Sequence, residues 1–479
     1  MLTATGYHAP MSRTTDPGEH ALRAADAPSS PDQPLNKWII SAWSLWSWGN
    51  ATVSAVMVTF VFAPYVVNVV GENSNGTQWL TIANLIAGII IAATAPVVGQ
   101  RADRSGKRKL WLTVLTLIVT GLVAACFLVR PEDSWLLVGV TLLATMNLVD
   151  TLANVHLNAM ITDISDSKRM GRVSGIGWGA GYLGGIFILA IAYFGMVSGE
   201  GGMLGLPTEN SFNIRMVAVA AAAWFLIFAL PLLLTPVKTA DQDQIGERIS
   251  IWESYKRLWR TVVGLWRNDR NTFWFFVSSA VYRDGLSGVF AYGAILGTSV
   301  YGISPGDILL FGIAGNVIAA AGAILGGWID DWVGPRNVIR FSVGALVVSG
   351  VVLFFMDVER EIFGITLTPT TSFWVFGLAL CLFVGPAQAA SRGFLGRIAP
   401  PDRASELFGL YQTAGRSVDF MTSGLIAVLL WIALGDPDVE NADKAIIVAV
   451  VLILALGLAL FSKVKAPQGY AKLPDHHLT

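Results

Sequence analysis

Long apolar stretches follow one another along almost the whole sequence, and they restrict the possible folds more than any other feature. Between residues 38 and 462, twelve runs are long enough to cross a bilayer core, which takes about 20 apolar residues in a helix. These runs are 38–69, 79–99, 110–130, 135–160, 173–197, 212–235, 272–299, 307–328, 338–357, 372–392, 405–434 and 445–462. Charged residues make up only 14% of the chain, against roughly 25% in soluble proteins. The sequence therefore predicts an all-α membrane protein with twelve transmembrane helices.

The longest segment between these runs, 236–271, separates the first six from the last six. We therefore expect one six-helix bundle over 37–235 and a second over 272–462. Residues 1–36 are rich in Ala, Pro, Ser, Asp and Thr and contain no apolar run, which indicates a disordered cytoplasmic leader rather than a signal peptide. Residues 463–479 form the expected cytoplasmic tail.

Lysine and arginine are unequally distributed between the two sides of this arrangement. With both termini in the cytoplasm, 26 of the 32 basic residues lie in cytoplasmic segments and four lie on the other side. This imbalance follows the positive-inside rule. It predicts a multi-pass integral protein of the cytoplasmic or plasma membrane with both termini cytoplasmic. The net charge of −1 gives no indication of a nucleic-acid partner.

The segment between the two bundles contains an amphipathic pattern. Its large apolar residues at helical spacing are Trp252, Tyr255, Trp259, Val262 and Trp266, and the basic residues among them are Lys256, Arg257, Arg260 and Arg267. This pattern predicts a helix on the inner membrane surface that contacts anionic lipid. The alternative is a solvated linker.

An internal repeat relates the two halves. Gly99, Asp103, Gly106 and Arg108 match Gly327, Asp331, Gly334 and Arg336 at a constant offset of 228, and Arg169, Gly175 and Gly181 match Arg403, Gly409 and Gly415 at an offset of 234. Glycine permits a sharp turn, and an aspartate is stabilised near the N-terminus of a neighbouring helix. We interpret Asp103, Asp331 and the glycine and basic residues around them (with Arg169 and Arg403) as a cytoplasmic latch between two halves that rock. The alternative is that these charges only fix the topology.

Polar side chains inside the predicted spans mark a candidate cavity, since an intramembrane charge costs at least about 2.5–3.5 kcal/mol. In the fourth span, a polar stripe that cannot face lipid is formed by Asn147, Asp150, Thr151, Asn154 and Asn158. The other candidate cavity residues are Asn50, Tyr282, Arg283, Asp284, Gln388, Tyr411, Gln412, Arg416 and Asp419. His156, on the opposite side of the fourth span, is predicted to be a hydrogen-bonded packing residue.

An intramembrane acid that exchanges a proton for an arginine partner would couple proton and solute movement. Asp284 is the first candidate for this acid, followed by Asp150 and Asp419, and the last two are also candidate partners of Arg283. The alternative is a permanent buried ion network that only joins the two halves.

Longer motifs carry a resemblance to a known family. They are WSLWSWGNA from Trp43, GRVSGIGWGAGYLGG from Gly171, VYRDG from Val281, GPAQAASRG from Gly385 and FGLYQTAGR from Phe408. With the latch pattern, these motifs resemble the major facilitator superfamily, and within it the vacuolar-effluxer, autophagy-related permease branch. The resemblance covers nearly the whole chain from residue 38 and implies two pseudo-symmetric six-helix bundles.

The chain departs from that branch at three positions. Ser47 stands where the branch has Asp, Arg283 where it has Asn, and Thr162 where it has Pro. The yeast-type members of the branch are linked to amino-acid efflux from the vacuole.

The sequence therefore predicts a monomeric secondary transporter in the lipid bilayer. It would move a small polar solute, amino-acid-like or an organic anion, by alternating access, with a proton as the coupling ion. Arg283 favours a zwitterion or anion because carboxylates bind arginine in a bidentate manner. The alternatives are a sugar or glycoside symporter, favoured by the tryptophans of the first span, and a non-transporting membrane sensor. The sequence has no HExxH motif, no phosphate-binding GxxxxGK(S/T) loop and no paired CxxC. Its one GxSxG match, at 302–306, lies in a short loop between two predicted spans, and a proline follows the serine, so we expect no enzymatic activity, metal or cofactor.

Overall fold

A computed structural model describes residues 36–71, 76–236, 250–303, 305–362, 365–434 and 444–473. The predicted leader lies outside the described residues except for residue 36, so the expectation of disorder there stays a prediction.

The first half begins with α1, Lys37–Thr52, which continues through π-helical turns at Val53–Phe60, a short helix at Phe62–Tyr65 and further π-helical turns at Val66–Val70. It then contains α2 (Gly76–Arg104), α3 (Arg108–Ala125), α4 (Leu136–Ala159), α5 (Met170–Ala192) and α6 (Phe212–Leu234). Shorter helical segments lie at Cys126–Leu128, Asp133–Trp135, Ile161–Ile164, Tyr193–Val197, Ser198–Gly201 and Glu209–Ser211.

The second half follows the helix α7, Ile251–Asn268. It contains α8 (Arg270–Ser299), α9 (Pro305–Val333), α10 (Pro335–Phe354), α11 (Pro369–Ile398), α12 (Ala404–Arg416), α13 (Met421–Leu434) and α14 (Lys444–Phe461). A 3₁₀ turn at Pro401–Arg403 precedes α12. A small antiparallel hairpin, β1 (Arg360–Ile362) with β2 (Ile365–Leu367), joins α10 to α11.

Polar side chains fix where several helices begin. The Asn36 side chain accepts hydrogen bonds from the backbone N–H groups of Trp38 and Ile39 at the start of α1. Ser250 does the same for Glu253 at the start of α7, and Asp269 does so for Thr272 at the start of α8. These bonds satisfy N–H groups that have no partner inside their own helix, and each stabilises the helix by about 1 kcal/mol.

Ten helical segments of the described chain are long and apolar enough to cross a membrane, and they coincide with ten of the twelve predicted spans. The predicted span 272–299 lies within the 30-residue α8. The prediction of one continuous helix over 405–434 is wrong, because a turn over 417–420 separates α12 from α13. The break occurs where the chain carries the charged residues Arg416 and Asp419.

Helices pack mainly within each half, and two pairs make extensive contacts across the halves. Within the halves, α1 packs against α5 and α6, and α11 packs against α9 and α10. Across them, α5 packs against α9 and α2 packs against α12. Large apolar side chains remain exposed on the outside, as Leu85 and Phe341 illustrate at 64% and 69% exposure. Such a surface is suited to a hydrocarbon environment.

Candidate functional site

One end of the molecule carries a buried cluster of charges that joins the two halves; we call it the latch end. At the end of α2, Asp103 accepts hydrogen bonds from Arg108, at 2.8 Å, and from the backbone N–H of Glu406 in α12, at 2.9 Å. Arg108 also binds Asp163 at 2.6 Å and donates to the Ser405 hydroxyl at 2.8 Å. Asp103 therefore lies at the N-terminus of a helix of the other half, where its charge is favourable.

The repeat produces the same arrangement at the start of α5. Asp331, at the end of α9, accepts from the backbone N–H groups of Gly171 and Arg172 at 2.8 and 3.1 Å. Helices α5 and α12 begin 234 positions apart, at 170 and 404, which is the offset of the second sequence alignment. Each half thus supplies an aspartate that caps a helix of the other half.

The arginines of the latch end do not follow the repeat. Arg336, the sequence counterpart of Arg108, donates to the Val464 carbonyl at 2.5 Å. It is Arg397, absent from the sequence-based candidates, that binds Asp331 at 3.3 Å and Asp330 at 2.8 Å. The GxxxDxxGxR spacing identifies the acids of the latch but not the arginine of the second one.

Two further latch candidates differ in their surroundings. Arg169 pairs with Asp166 at 3.6 Å and is partly exposed. Arg403 binds Glu406 at 2.9 Å and donates to the Thr261 hydroxyl of α7 at 3.0 Å. The helix between the two halves is therefore hydrogen-bonded to the latch end.

The latch glycines have two different roles. Gly106 and Gly334 have positive φ angles of 61° and 85°, as expected for the tight turns that follow α2 and α9. The expectation of a turn at Gly99 and Gly327 is wrong, because both lie inside helices. A Cβ atom at Gly99 would lie 2.1 Å from the Ser405 carbonyl oxygen, so this glycine allows the two halves to touch.

A cavity of about 1540 Å³ lies between the halves on the other side of the latch. Its lining continues to residues at the opposite end of the helices, such as Thr59, Tyr193 and Phe373. The predicted residues that line it are Asn50, Asp150, Asn154, Asn158, Arg283, Gln388, Tyr411, Gln412, Arg416 and Asp419. Asn147, Tyr282 and Asp284 are not among its lining residues.

Asp150 is the acid held most closely on the first-half wall of the cavity. One carboxylate oxygen accepts a short hydrogen bond from the Asn50 amide of α1, and the other accepts from the Asn154 amide at 3.1 Å. Among the described residues, no cation lies within ion-pair distance of Asp150, although Arg416 acts on it electrostatically. Two neutral amides therefore bind the Asp150 carboxyl group at a depth in the membrane where the ionised form is energetically costly.

Arg283 projects into the cavity from the second half. Its guanidinium lies 4.0 Å from the centre of the Tyr411 ring and donates to the Gln412 side chain at 3.2 Å. The predicted pairing of Arg283 with Asp150 or Asp419 is not found, because Asp150 is bound by amides and Asp419 pairs with Arg416 at 3.2 Å. No described carboxylate is within ion-pair distance of Arg283 in this state.

Arg392 is a second cavity arginine, although it is one of the 26 basic residues assigned to cytoplasmic segments from the sequence. Its guanidinium is buried and donates to Asn158 at 3.0 Å and to the Ser174 hydroxyl at 2.9 Å. It also lies 4.7 Å from the centre of the Trp43 ring. All of these partners belong to the first half, and none of them is acidic. The GPAQAASRG motif contains this residue and could have indicated it.

Asp284 faces a helix end rather than the cavity. Its carboxylate accepts from the backbone N–H and the hydroxyl of Thr422, at 2.7 and 2.6 Å, and so caps the start of α13 after the break. Tyr282, two residues earlier, bonds the Ser391 hydroxyl at 2.6 Å and is fully buried. Both predicted cavity residues instead stabilise the second half.

His156 is buried next to Trp111, with 6.4 Å between the ring centres. Neither ring nitrogen has a hydrogen-bond partner among the described residues. The predicted packing role therefore agrees with the structure, whereas the predicted hydrogen bond does not.

The position of Asp284 gives a first prediction. Replacing Asp284 with alanine should lower the free energy of unfolding by about 1–2 kcal/mol, since it removes the cap of α13. Asp284→Asn keeps a side-chain oxygen acceptor and should lose less than half of this. Thermal unfolding in detergent measures both. A loss of proton coupling in a stable Asp284→Asn protein would contradict this role and restore Asp284 as the coupling acid.

Comparison with solved structures identifies the fold. The structure matches that of the major facilitator superfamily proton:xylose symporter XylE, bound to 6-bromo-6-deoxy-D-glucose, with a TM-score of 0.67 at 14% identity, over 91% of this chain and 97% of that one. It matches a bacterial homologue of the iron transporter ferroportin in an outward-facing state with a TM-score of 0.64 at 12% identity, over 90% and 99%. The predicted major facilitator fold is confirmed, and the chain is a multi-pass integral membrane protein.

Sequence comparison then gives the family. Residues 62–472 match the family described as Vacuole effluxer Atg22 like. The chain is 25% identical over 432 residues to the uncharacterized MFS-type transporter YxiO of Bacillus subtilis, covering 88% of this chain and 94% of that protein. It is 21% identical over 335 residues, 65% of this chain, to autophagy-related protein 22-1 of Neosartorya fischeri, and covers about half (51%) of that protein. This chain belongs to the Atg22-like family, and it is a transporter rather than an enzyme, as the sequence analysis predicts.

Proposed function

We propose that this transporter moves a small carboxylate-bearing solute by alternating access and couples this movement to a proton. The observation that carries the proposal is the cavity between the halves. Asp150 lines this cavity and is hydrogen-bonded by the Asn50 amide, and the buried ion pairs of the latch end close the cavity on one side. An intramembrane acid that faces a cavity between two repeats is typical of transporter coupling sites.

Alternating access is supported by the contacts that join the halves at the latch end. The bonds from Glu406 to Asp103 and from Gly171 to Asp331 cross between halves, and so do the contacts of Arg392. A cavity open to the latch side requires all of them to break. The first and last residues that the structure describes lie near the latch end. The Trp38 indole N–H donates to the Thr235 hydroxyl there, and the Lys465 backbone N–H donates to the Asn271 side chain. With cytoplasmic termini, the structure corresponds to an outward-open state.

The substrate class is argued from the two cavity arginines. Arg283 and Arg392 have only neutral hydrogen-bond partners among the described residues, and each guanidinium has five donors. A solute carboxylate supplies the charge that Arg283 lacks and can form two parallel hydrogen bonds with it. We therefore favour an amino-acid-like solute or an organic anion.

A sugar symporter is the second candidate, and specific contacts favour it. Trp178, Tyr182 and Phe290 form an aromatic wall in the cavity, with 5.9 and 6.3 Å between successive ring centres. The Trp178 N–H and the Tyr182 hydroxyl are buried without a hydrogen-bond partner among the described residues. Such a wall is suited to a ring with hydroxyl groups. XylE, whose fold this structure matches, is a proton:xylose symporter and is bound to a glucose derivative.

Ligand-induced stabilisation separates the two candidates. A ligand at 100 times its dissociation constant stabilises the folded state by roughly 2.7 kcal/mol, so purified protein should show a raised melting temperature with its own class of solute. We expect carboxylates to give this shift and neutral sugars not to. Arg283→Gln should reduce affinity by at least about tenfold, because it removes a charge-assisted pair.

Arg215 provides the matched control. It also stacks on an aromatic ring, 4.7 Å from the centre of Phe127, and donates to a backbone carbonyl, but it does not line the cavity. Arg215→Gln should leave the ligand response unchanged. A rise in melting temperature with sugars only, and of the same size in Arg283→Gln, would favour the sugar symporter. Vesicles that show no saturable counterflow of the stabilising solute would contradict transport itself.

A further inference from the structure

Helix α7 presents a row of exposed tryptophans. Trp252, Trp259 and Trp266 are seven residues apart, so they follow one another along one side of the helix, and they are 69%, 70% and 45% exposed. Tryptophan is enriched at the boundary between membrane and water because one end of the side chain is apolar and the other is polar.

Exposed positive charges lie beside this row. Lys256, Arg260 and Arg267 are exposed, whereas Arg257 is engaged by Glu253 within the helix at 3.3 Å. At 100° per residue, Arg260 and Arg267 fall within about 100° of the tryptophans on the adjacent side. An aromatic row next to a basic row complements a bilayer surface with anionic headgroups, and each basic residue near such a surface adds to the attraction.

The opposite side of α7 is buried in the latch end. The Thr261 hydroxyl donates to the Glu406 carboxylate at 2.9 Å and accepts from Arg403 at 3.0 Å. The backbone N–H of the same Glu406 donates to Asp103. Nearer the start of α7, and on the tryptophan side of the helix, the Tyr255 hydroxyl donates to the Ala93 carbonyl of α2 at 3.1 Å. The helix therefore contacts both halves where they meet.

We propose that α7 senses anionic lipid and that its binding to the bilayer surface holds the latch end closed. The tryptophan and basic rows would bind the headgroups of the leaflet next to the latch end, and Thr261 would transmit this binding to Glu406 and, through its backbone, to Asp103. This inference rests on the proposed alternating access, in which the latch end opens and closes.

The test measures the latch directly and needs no substrate. Spin labels at Lys107→Cys and Asn337→Cys, both exposed and on different halves, report the distance across the latch end, while the native Cys126 and Cys381 are buried. The protein is reconstituted in neutral phosphatidylcholine vesicles or in vesicles with roughly one quarter phosphatidylglycerol. We expect anionic vesicles to reduce the open fraction by about threefold or more.

Two variants and a control isolate the helix. Arg260→Gln with Arg267→Gln should abolish the lipid response, whereas Arg340→Gln with Lys465→Gln removes two exposed charges at the same end and should retain it. Thr261→Val should keep the quenching of the α7 tryptophans by brominated lipid yet lose the change in distance. Equal distances in both vesicle types, or a full response in either α7 variant, would overturn the proposal.

The remaining outcomes separate this inference from the proposed function. If the latch distance changes in Arg108→Ala but never with lipid, only the lipid inference fails. If it stays constant in every variant and vesicle, alternating access fails and the inference fails with it. If tryptophan protection requires an added acidic peptide, the partner is a protein and the lipid proposal is wrong.

Discussion

Asp150→Asn is expected to abolish proton-driven accumulation of solute while leaving downhill exchange intact. A proton moved across about 100 mV supplies roughly 2.3 kcal/mol, which corresponds to an accumulation of about 50-fold. Asparagine cannot exchange a proton, but it keeps one oxygen that can accept from the amides of Asn50 or Asn154. Accumulation in vesicles with an imposed proton gradient should therefore fall to a ratio of about one.

Asp419→Asn is the matched control for this experiment. Asp419 also lines the cavity, but it is about half exposed and pairs with Arg416 on the surface of the break in the eleventh predicted span. An exposed ion pair contributes little energy, so its loss should change accumulation by less than about twofold. Accumulation that persists in Asp150→Asn and disappears in Asp419→Asn would reverse the assignment of the coupling acid.

The features on which sequence and structure agree depend on short-range patterns. Ten spans follow from apolar length, and a motif repeated at one offset marks Asp103 and Asp331, which accept hydrogen bonds from the other half. Four of the five residues of the predicted polar stripe in α4 also line the cavity, namely Asp150, Thr151, Asn154 and Asn158. Helical spacing determines which residues share a face of a helix, so residues on the same face line the cavity together.

Other features depend on how helices are rotated and interrupted, which the spacing does not fix. Arg283 and Asp284 are adjacent and therefore point about 100° apart, so only one could face the cavity, and packing against α13 decided that it was Arg283. The same contact explains the break in the eleventh predicted span. The Asp284 carboxylate accepts a hydrogen bond from the Thr422 backbone N–H at the start of α13. Helix α13 can therefore begin there without a backbone hydrogen bond to α12 at this position.

Arg392 shows why a count of charges by membrane side can miss a residue that lines the cavity. It lies near the end of a predicted span and agrees with the positive-inside rule as a loop charge. In the structure it is buried between the halves, where its contacts with Trp43, Asn158 and Ser174 close the cavity floor. A buried guanidinium with only neutral partners is costly, which supports a functional rather than a topological role.

Arg108→Ala is expected to have the largest effect on the latch and on stability. Arg108 is 4% exposed and holds the buried carboxylates of Asp103 and Asp163 at 2.8 and 2.6 Å. Its removal takes away a cation that both acids share, and breaking a buried ion pair in this way typically costs about 3–5 kcal/mol. The hydrogen bond to Ser405 of the other half is lost as well. We expect a lower melting temperature and a larger open fraction at the latch end, measured with the Lys107/Asn337 label pair.

Arg336→Ala tests whether this effect belongs to the ion cluster or to the repeat. Arg336 occupies the equivalent motif position, and within the described part of the chain it donates to a backbone carbonyl alone, so its loss should cost about 1 kcal/mol. Because the cost of Arg108→Ala comes from two buried carboxylates that lose a shared cation, adding Asp103→Asn and Asp163→Asn should recover much of the stability. The cross-half bond from Arg108 to Ser405 would still be missing, so the open fraction should stay high in the rescued protein. Equal losses in Arg108→Ala and Arg336→Ala would show that the motif, and not the buried charges, determines the strength of the latch.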